Sequence, residues 1–443
     1  MSRLLLKNAD IVNENKRFTS DILVENGKIK KIAASIGEPA DREMDLTGKL
    51  VIPGMIDDQV HFREPGLDYK GNIESESSAA LAGGITSYME MPNTKPQTVT
   101  NKLLAGKFDI AAEHSYANYS FYLGATNDNI EEIKKLDVQR TCGIKIFMGA
   151  STGNMLVDNT EALELIFQHA PIIVVTHCED TPMILENEKA YREKYGEDVP
   201  MKYHGEIRSA EACYKSSSLA VSLAKKHAAN LHVLHLTTAK EMELFTKGDL
   251  KDKKITAEVC VHHLFFDDRD YDARGTYIKW NPAIKTEQDK LALHKAVNED
   301  RLDIIATDHA PHLSSEKENV YWKAPSGGPL VQHALLALLD LYHSRVFSLE
   351  KIVQKIAHAP ADRFQVKDRG YLREGYWADL AIIDLEKEFT VSKENTLYKC
   401  GWAPFEGHTF KSSIFATILN GEIVYENGKV NPVRFAKELE FTR

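Results

Sequence analysis

Cysteine is scarce in this 443-residue chain. There are five, Cys142, Cys178, Cys213, Cys260 and Cys400, and no two form a C-x-x-C pair. An odd, widely spaced set supplies neither a disulfide framework nor a structural zinc knot, and it fits a reducing, cytoplasmic compartment. No apolar run reaches membrane-spanning length. The opening stretch, "MSRLLLKNADIVNENKR", has too short an apolar core for a secretory leader, so an unprocessed cytoplasmic protein is expected. Blocks of basic residues are missing too, and the formal net charge is −10. Binding to a polyanion leaves a basic footprint. Nucleic acid and membrane are therefore not expected as partners, whereas a small-molecule substrate is, and a homodimer is compatible with the composition. Low-complexity tracts and internal repeats are absent.

Hydrophobic residues at 43% and charged residues at 27% indicate a folded chain. Its length suits one large α/β barrel with an accessory domain. The ends are rich in short strands: "LLLKNADIVN", "TSDILVENGKIKKIA" and "KLVIPG" at the start, "ADLAIIDLE" and "ATILNGEIVYENGKV" at the finish. Each end carries Asn-Gly pairs, which take the positive φ angles of tight hairpin turns. Residues 1–52 with 368–443 are expected to form one composite β-sandwich, and 53–367 the central domain.

That central part alternates. Eight apolar runs read as strands: "MIDDQVHF", "ITSYMEM", "YSFYLGA", "GIKIFM", "PIIVVTH", "LHVLHL", "KITAEVCV" and "LDIIAT". Helical patterns lie between them, such as "NKLLAGKFDIAAEHS", "NIEEIKKL", "EALELIFQHA", "EMELFTKG" and "EQDKLALHKAVNE", and "LVQHALLALLDLY" follows the last strand. Eight strand-then-helix units predict a (β/α)₈ TIM-type barrel.

Active sites of such barrels form at the C-terminal ends of the strands. Four metal-binding residues fall there: His61 after the first strand, His177 at the end of the fifth, His235 near the end of the sixth and Asp308 at the end of the eighth. Most of the 17 histidines should be solvated or satisfied in the core. Imidazoles gathered with a carboxylate are, however, what zinc prefers. Lys145, inside "CGIKIFMGA", faces low dielectric on either side of its strand. Two readings stand for it. Burial lowers its pKa, leaving a neutral amine that carbon dioxide converts to a metal-bridging carbamate. Alternatively, the amine snorkels to the barrel mouth and pairs with an acid. Of His262 and His263 in "EVCVHHLFF", at most one lines the site if both continue a strand. His114, His169 and His227 sit in polar helical surroundings and are expected to be solvated; "REKYGED" reads as an exposed helix end.

Taken together, "PGMIDDQVHFREPG", "GGITSYMEMPNTKP", "THCED", "HLTTAKE", "KWNPAIK" and "TDHAPH" resemble the dihydroorotases, a branch of the amidohydrolase superfamily. The resemblance spans the barrel. It implies a zinc-dependent cyclic amide hydrolase that interconverts N-carbamoyl-L-aspartate and L-dihydroorotate in pyrimidine synthesis. It further implies His61, His177, His235, Asp308 and a carbamylated Lys145 as metal ligands, with Asp308 also the general acid/base. Arg63 and Asn93 are implied to hold the substrate carboxylate, with Asn281 and His312 as further substrate contacts. Some members bridge their metals with an aspartate in a loop after the fourth strand; this chain has "MGASTGN" there, with no acid, which directs attention to Lys145.

Gln59 is the departure. It stands where the resemblance calls for the first histidine of a His-x-His clamp, and a neutral amide oxygen is a poor zinc ligand beside imidazole. The expectation is one tight zinc at His177/His235 and a weak or absent metal near His61. Two rival readings stand: a hydantoinase- or allantoinase-like cyclic amidase, disfavoured by Arg63 and Asn93, and a non-catalytic assembly subunit, favoured by Gln59 alone.

Overall fold

The structure is a computed structural model that describes residues 3–149 and 155–443. Most of the "MGASTGN" loop (150–154) lies outside the described residues.

The chain begins with β1 (Arg3–Asn13), β2 (Lys16–Glu25), β3 (Lys28–Ala33), β4 (Arg42–Asp45) and β5 (Leu50–Pro53). It then enters eight strands that pair in parallel and in sequence order: β6 (Met55–Val60), β7 (Ile85–Glu90), β8 (Asn118–Gly124), β9 (Gly143–Phe147), β10 (Val174–His177), β11 (Leu231–Val233), β12 (Ile255–Cys260) and β13 (Ile304–Ala306). A bridge between Val60 and His309 brings the last strand back to the first. All eight coincide with the apolar runs of the sequence. Almost every residue of these strands is buried, because helices cover the outside while side chains fill the inside.

The helices show why the pattern is legible. In Asn101–His114, Leu104, Phe108 and Ala111 recur at helical spacing and are buried, while Thr100 caps the start by accepting from the Leu103 N–H. The stretch "EMELFTKG" forms only a short 3₁₀ turn, Lys240–Leu244. "REKYGED" covers the end of the helix Thr181–Tyr195, as expected.

After the barrel come β14 (Leu380–Asp384), a small pair β15 (Phe389–Thr390) with β16 (Thr409–Phe410), then β17 (Ser413–Leu419), β18 (Glu422–Glu426) and β19 (Lys429–Val430). The two ends meet where β14 runs antiparallel to β5, pairing Leu380 with Pro53 and Ala381 with Ile52. The result is a single nine-stranded sheet. One apolar cluster, including Leu6, Ile22, Val51, Leu380, Ile382 and Ile418, draws on both termini. Its Asn-Gly pairs behave as the sequence predicts: Asn26 and Gly27 take φ of 54° and 83°, Asn420 and Gly421 take 50° and 83°. These two turns press together, and a Cβ on Gly421 would lie 2.5 Å from the Gly27 Cα. No helix among the described residues is long and apolar enough to cross a membrane.

Candidate active site

Four barrel strands deliver residues at or just past their C-terminal ends to one rim. His61 follows β6 directly, His177 ends β10, His235 lies two residues past β11 and Asp308 two past β13. Lys145 is the middle residue of β9. These five, with Arg63, Asn93 and Asn281, line a single small cleft. His312 does not line it and stands behind Arg63. Three of these side chains leave the rim from backbone in the left-handed region: φ is 75° at Arg63, 40° at His235 and 49° at Asp308. Such a conformation costs a non-glycine residue about 1–3 kcal/mol, and it recurs where a side chain must be aimed.

On one side, His177 Nδ1 and His235 Nε2 face each other at 3.0 Å. Two ligands of one tetrahedral zinc, each about 2.0 Å from the ion, stand about 3.3 Å apart, so this pair fits a single metal. Both rings are held neutral, as metal binding requires: burial depresses each, and the Lys145 charge lowers both further. Glu179 Oε2 lies 3.0 Å from His177 Nε2, close enough to orient the ring though not aligned for a full hydrogen bond. Arg208 grips the same carboxylate with Nε to Oε1 at 2.9 Å and Nη2 to Oε2 at 2.7 Å. Burial pushes the Glu179 carboxyl up, but the Arg208 charge and the His177 contact outweigh it and leave it below the usual carboxylate range. Gly149 passes so near that a Cβ there would sit 1.5 Å from the Glu179 carbonyl oxygen. Neither Glu179 nor Arg208 was picked out from the sequence. Glu179 carried a signal, two residues after His177 in "THCED"; Arg208, 29 residues further on, carried none.

Lys145 is buried beside this pair, with its ammonium 4.6 Å from the Phe147 ring centroid. Burial lowers its pKa to about 8, against the opposing pull of Asp308 and Glu258. Asp308 and Glu258 are the acids whose charges act on it, and neither forms an ion pair with it among the described residues.

The other side is built differently. His61 Nδ1 meets Asn93 Oδ1 at 2.7 Å, so it carries the proton, and its Nε2 lone pair faces Asp308 Oδ1 at 3.1 Å. Gln59 donates from Nε2 to the same Asp308 oxygen at 3.2 Å, while its own Oε1 faces the Cys260 thiol at 3.8 Å. The amide thus spends its donor on the carboxylate and turns its acceptor away.

Arg63 is buried in the wall of the cleft. Its Nε donates to the Pro311 carbonyl at 3.1 Å, and its Nη2 lies 3.1 Å from His312 Nε2. Lys70 donates to His312 Nδ1 at 2.9 Å. Burial, then the Arg63 charge, holds His312 far below the ordinary histidine range, so it remains neutral between two cations. Asn281 accepts from Ser326 Oγ at 3.0 Å.

Neither His262 nor His263 lines the cleft, in keeping with the expectation that at most one would; they sit on a helical turn, Val261–Phe265, rather than on a strand, and both are buried. His262 stacks on Trp280 at 4.3 Å and His263 Nε2 donates to the Pro282 carbonyl. His227 is likewise not free in solvent, since it pairs with Glu164.

The amidohydrolase family profile matches residues 50–424, most of the chain. The chain belongs to the amidohydrolase family. It is 34% identical to a dihydroorotase from Pyrococcus furiosus over 410 residues, covering 92% of this chain and 89% of that one. It is 32% identical to a dihydroorotase from Methanosphaera stadtmanae over 437 residues, 97% and 98% of the two chains. Among solved structures, an L-hydantoinase from Arthrobacter aurescens superposes with a TM-score of 0.94 at 27% identity, over 99% of this amidohydrolase and all of that chain. A dihydropyrimidinase from Brevibacillus agri, 21% identical with a TM-score of 0.90 over the full length of both, shares the fold.

Proposed function

We propose that this protein is a dihydroorotase, a metal-dependent hydrolase that opens the ring amide of L-dihydroorotate and closes N-carbamoyl-L-aspartate in the reverse direction, in the cytoplasm as a step of pyrimidine synthesis. The observation that carries this reading is Arg63, a buried guanidinium in the wall of the same cleft that gathers the histidines and Asp308. A planar cationic fork suits a substrate with a free carboxylate, which dihydroorotate has and a simple hydantoin lacks. The dihydroorotase names of relatives at 32–34% identity agree with it.

In this reading His177 and His235 hold one zinc tightly, with a carbamate on Lys145 as the anionic third ligand. His61 and Asp308 offer a second position that Gln59 leaves short of a ligand. The bound ion supplies a more acidic attacking water and a polarised amide oxygen. Asp308 accepts the proton given up by the water and returns it to the departing ring nitrogen. Gln59 donates its amide N–H to the Asp308 carboxylate, which fixes the oxygen that moves the proton. Arg63 and Asn93 hold the substrate carboxylate, Asn281 in the same cleft makes a further substrate contact, and Asn93 also orients His61 through the ring N–H. The Pro311 carbonyl keeps Arg63 in place, and His312, with Nδ1 accepting from Lys70 and Nε2–H donating to the Ser326 carbonyl, packs beside it. The composite terminal sheet is the second unit, divided from the barrel near residues 52 and 368, and it has no part in the chemistry.

The superposition on a hydantoinase favours one alternative, a cyclic amidase acting on hydantoins. Turnover of dihydroorotate, hydantoin and allantoin by the same metal-replete preparation separates the readings. Dihydroorotate is expected to be preferred by a wide margin. Preference for hydantoin would establish the alternative, and no turnover of any of the three would point to a non-catalytic assembly subunit.

A further inference from the structure

A second constellation lies inside the barrel, deeper than the cleft. Asp58 on β6, His232 on β11 and Glu258 on β12 bring one ligand atom each within 4.8 Å of one another, and all three are completely buried. β13 separates β6 from β12 in the barrel, so these side chains meet only by pointing inward. None of them lines the cleft. Asp58 faces inward despite adjoining Gln59 because β6 carries a bulge between Asp57 and Val60, which breaks strict alternation.

The chemistry of the three groups is one-sided. Thr256 donates its hydroxyl proton to the Leu231 carbonyl at 3.2 Å, so its oxygen accepts from His232 Nδ1–H at 2.8 Å. In that tautomer His232 Nε2 offers a lone pair to a cation; with no metal there, the Asp58 and Glu258 carboxylates offset burial and raise the His232 pKa, so that a proton takes the place. The Nε2 atom lies 3.3 Å from Asp58 Oδ2 and 3.8 Å from Glu258 Oε2. Both Asp58 oxygens, Glu258 Oε2 and His232 Nε2 have no hydrogen-bond partner among the described residues. One ligand atom from each of the three residues thus converges, and buried acceptors left in this way are costly unless a cation, a metal ion or a proton, sits among them. The separations of 3.3 and 3.8 Å bracket what ligands about 2.0–2.2 Å from a four-coordinate divalent ion require. Two carboxylates cancel a charge of +2, so the filled site is neutral in the core.

We propose that Asp58, His232 and Glu258 bind a structural divalent transition-metal ion of zinc-like size, enclosed in the barrel and separate from the catalytic cleft. The second Asp58 oxygen completes a four-ligand set of one nitrogen and three oxygens, suited to zinc or manganese. The ion ties β6, β11 and β12 together. It is also linked to the rim, because the other Glu258 oxygen accepts from the His235 N–H at 3.0 Å. With no path to solvent, it enters while the chain folds and resists chelators that strip the cleft.

Crystals of the full chain, produced in zinc- and manganese-supplemented medium and then soaked in a chelator, test this through anomalous difference maps on both sides of each metal edge. The expected result is a peak within bonding distance of His232 Nε2 and the two carboxylates that survives the soak. The absence of any such peak, before as well as after the soak, would overturn the proposal and assign the cluster to a protonated histidine between two acids. Glu258→Gln and Asp58→Asn are a second measurement, read by metal content per chain after exhaustive chelation. Each is expected to lose one equivalent relative to the parent; an unchanged content in both folded variants would also overturn it. Neither readout depends on which substrate the cleft accepts.

Discussion

The two halves of the rim differ in what their polar atoms are doing. On the His177/His235 side, two ring nitrogens converge at 3.0 Å, and a carboxylate pinned by Arg208 backs one of them. On the His61/Asp308 side, the place of a second imidazole is taken by Gln59, which points its N–H at Asp308. One half presents lone pairs to a common centre; the other uses a hydrogen bond to hold a carboxylate. A single change of side chain turns a ligand into a positioning group, and the expected metal affinities separate accordingly.

Removing a ligand from the well-formed half should do the most damage. His177→Ala is expected to lose the cleft metal and, with it, several kcal/mol of transition-state stabilisation, about 10³-fold or more in kcat/KM on dihydroorotate. Paired metal analysis and kinetics check this; near-native turnover in the metal-free variant would contradict it. Arg63→Ala should leave metal content normal and raise KM about 10–100-fold, the weight of a charged hydrogen-bonded contact. Unchanged Michaelis behaviour would remove it from substrate binding. Glu179→Gln keeps the shape but loses the charge that orients His177, and should weaken zinc binding about 10–100-fold in a competition titration. In the other half, Gln59→His should restore a two-histidine clamp and increase metal occupancy beside His61, with a modest change in turnover.

The gentlest perturbation is pH. Burial places the Lys145 pKa at about 8, below the free lysine value, so the folded protein sheds this proton first. Between about pH 8 and the unfolded value, the unfolded chain binds more protons, and stability from this group rises with pH. The neutral amine that takes up carbon dioxide is likewise more populated above about pH 8. A carbamate resonance in ¹³C NMR with labelled bicarbonate should therefore grow with pH across that range and vanish in Lys145→Ala.

The barrel was readable because parallel strands buried on both faces appear as uninterrupted apolar runs, and because its chemistry is confined to their ends. Eight such runs place His61, His177, His235 and Asp308 near one rim from sequence alone. The hairpins of the terminal sheet were readable from their Asn-Gly pairs, but the joining of β5 to β14 was not, since no local pattern encodes a partner more than 300 residues away. The helical turn that carries His262 and His263 is not legible, because the apolar run of β12 continues into it without a break in composition. Arg208 and Asp58 stayed hidden for other reasons. Arg208 reaches Glu179 from a separate loop, and Asp58 faces the interior only because of a bulge.

The most direct test of the single-tight-site account is an anomalous difference map of the cleft at the zinc edge, from a preparation whose dihydroorotate turnover has been measured. The account predicts an active enzyme with a strong peak between His177 Nδ1 and His235 Nε2 and a weak peak or none between His61 and Asp308. Two equal peaks that survive mild chelation, or full activity with no peak at the His177/His235 pair, would contradict it.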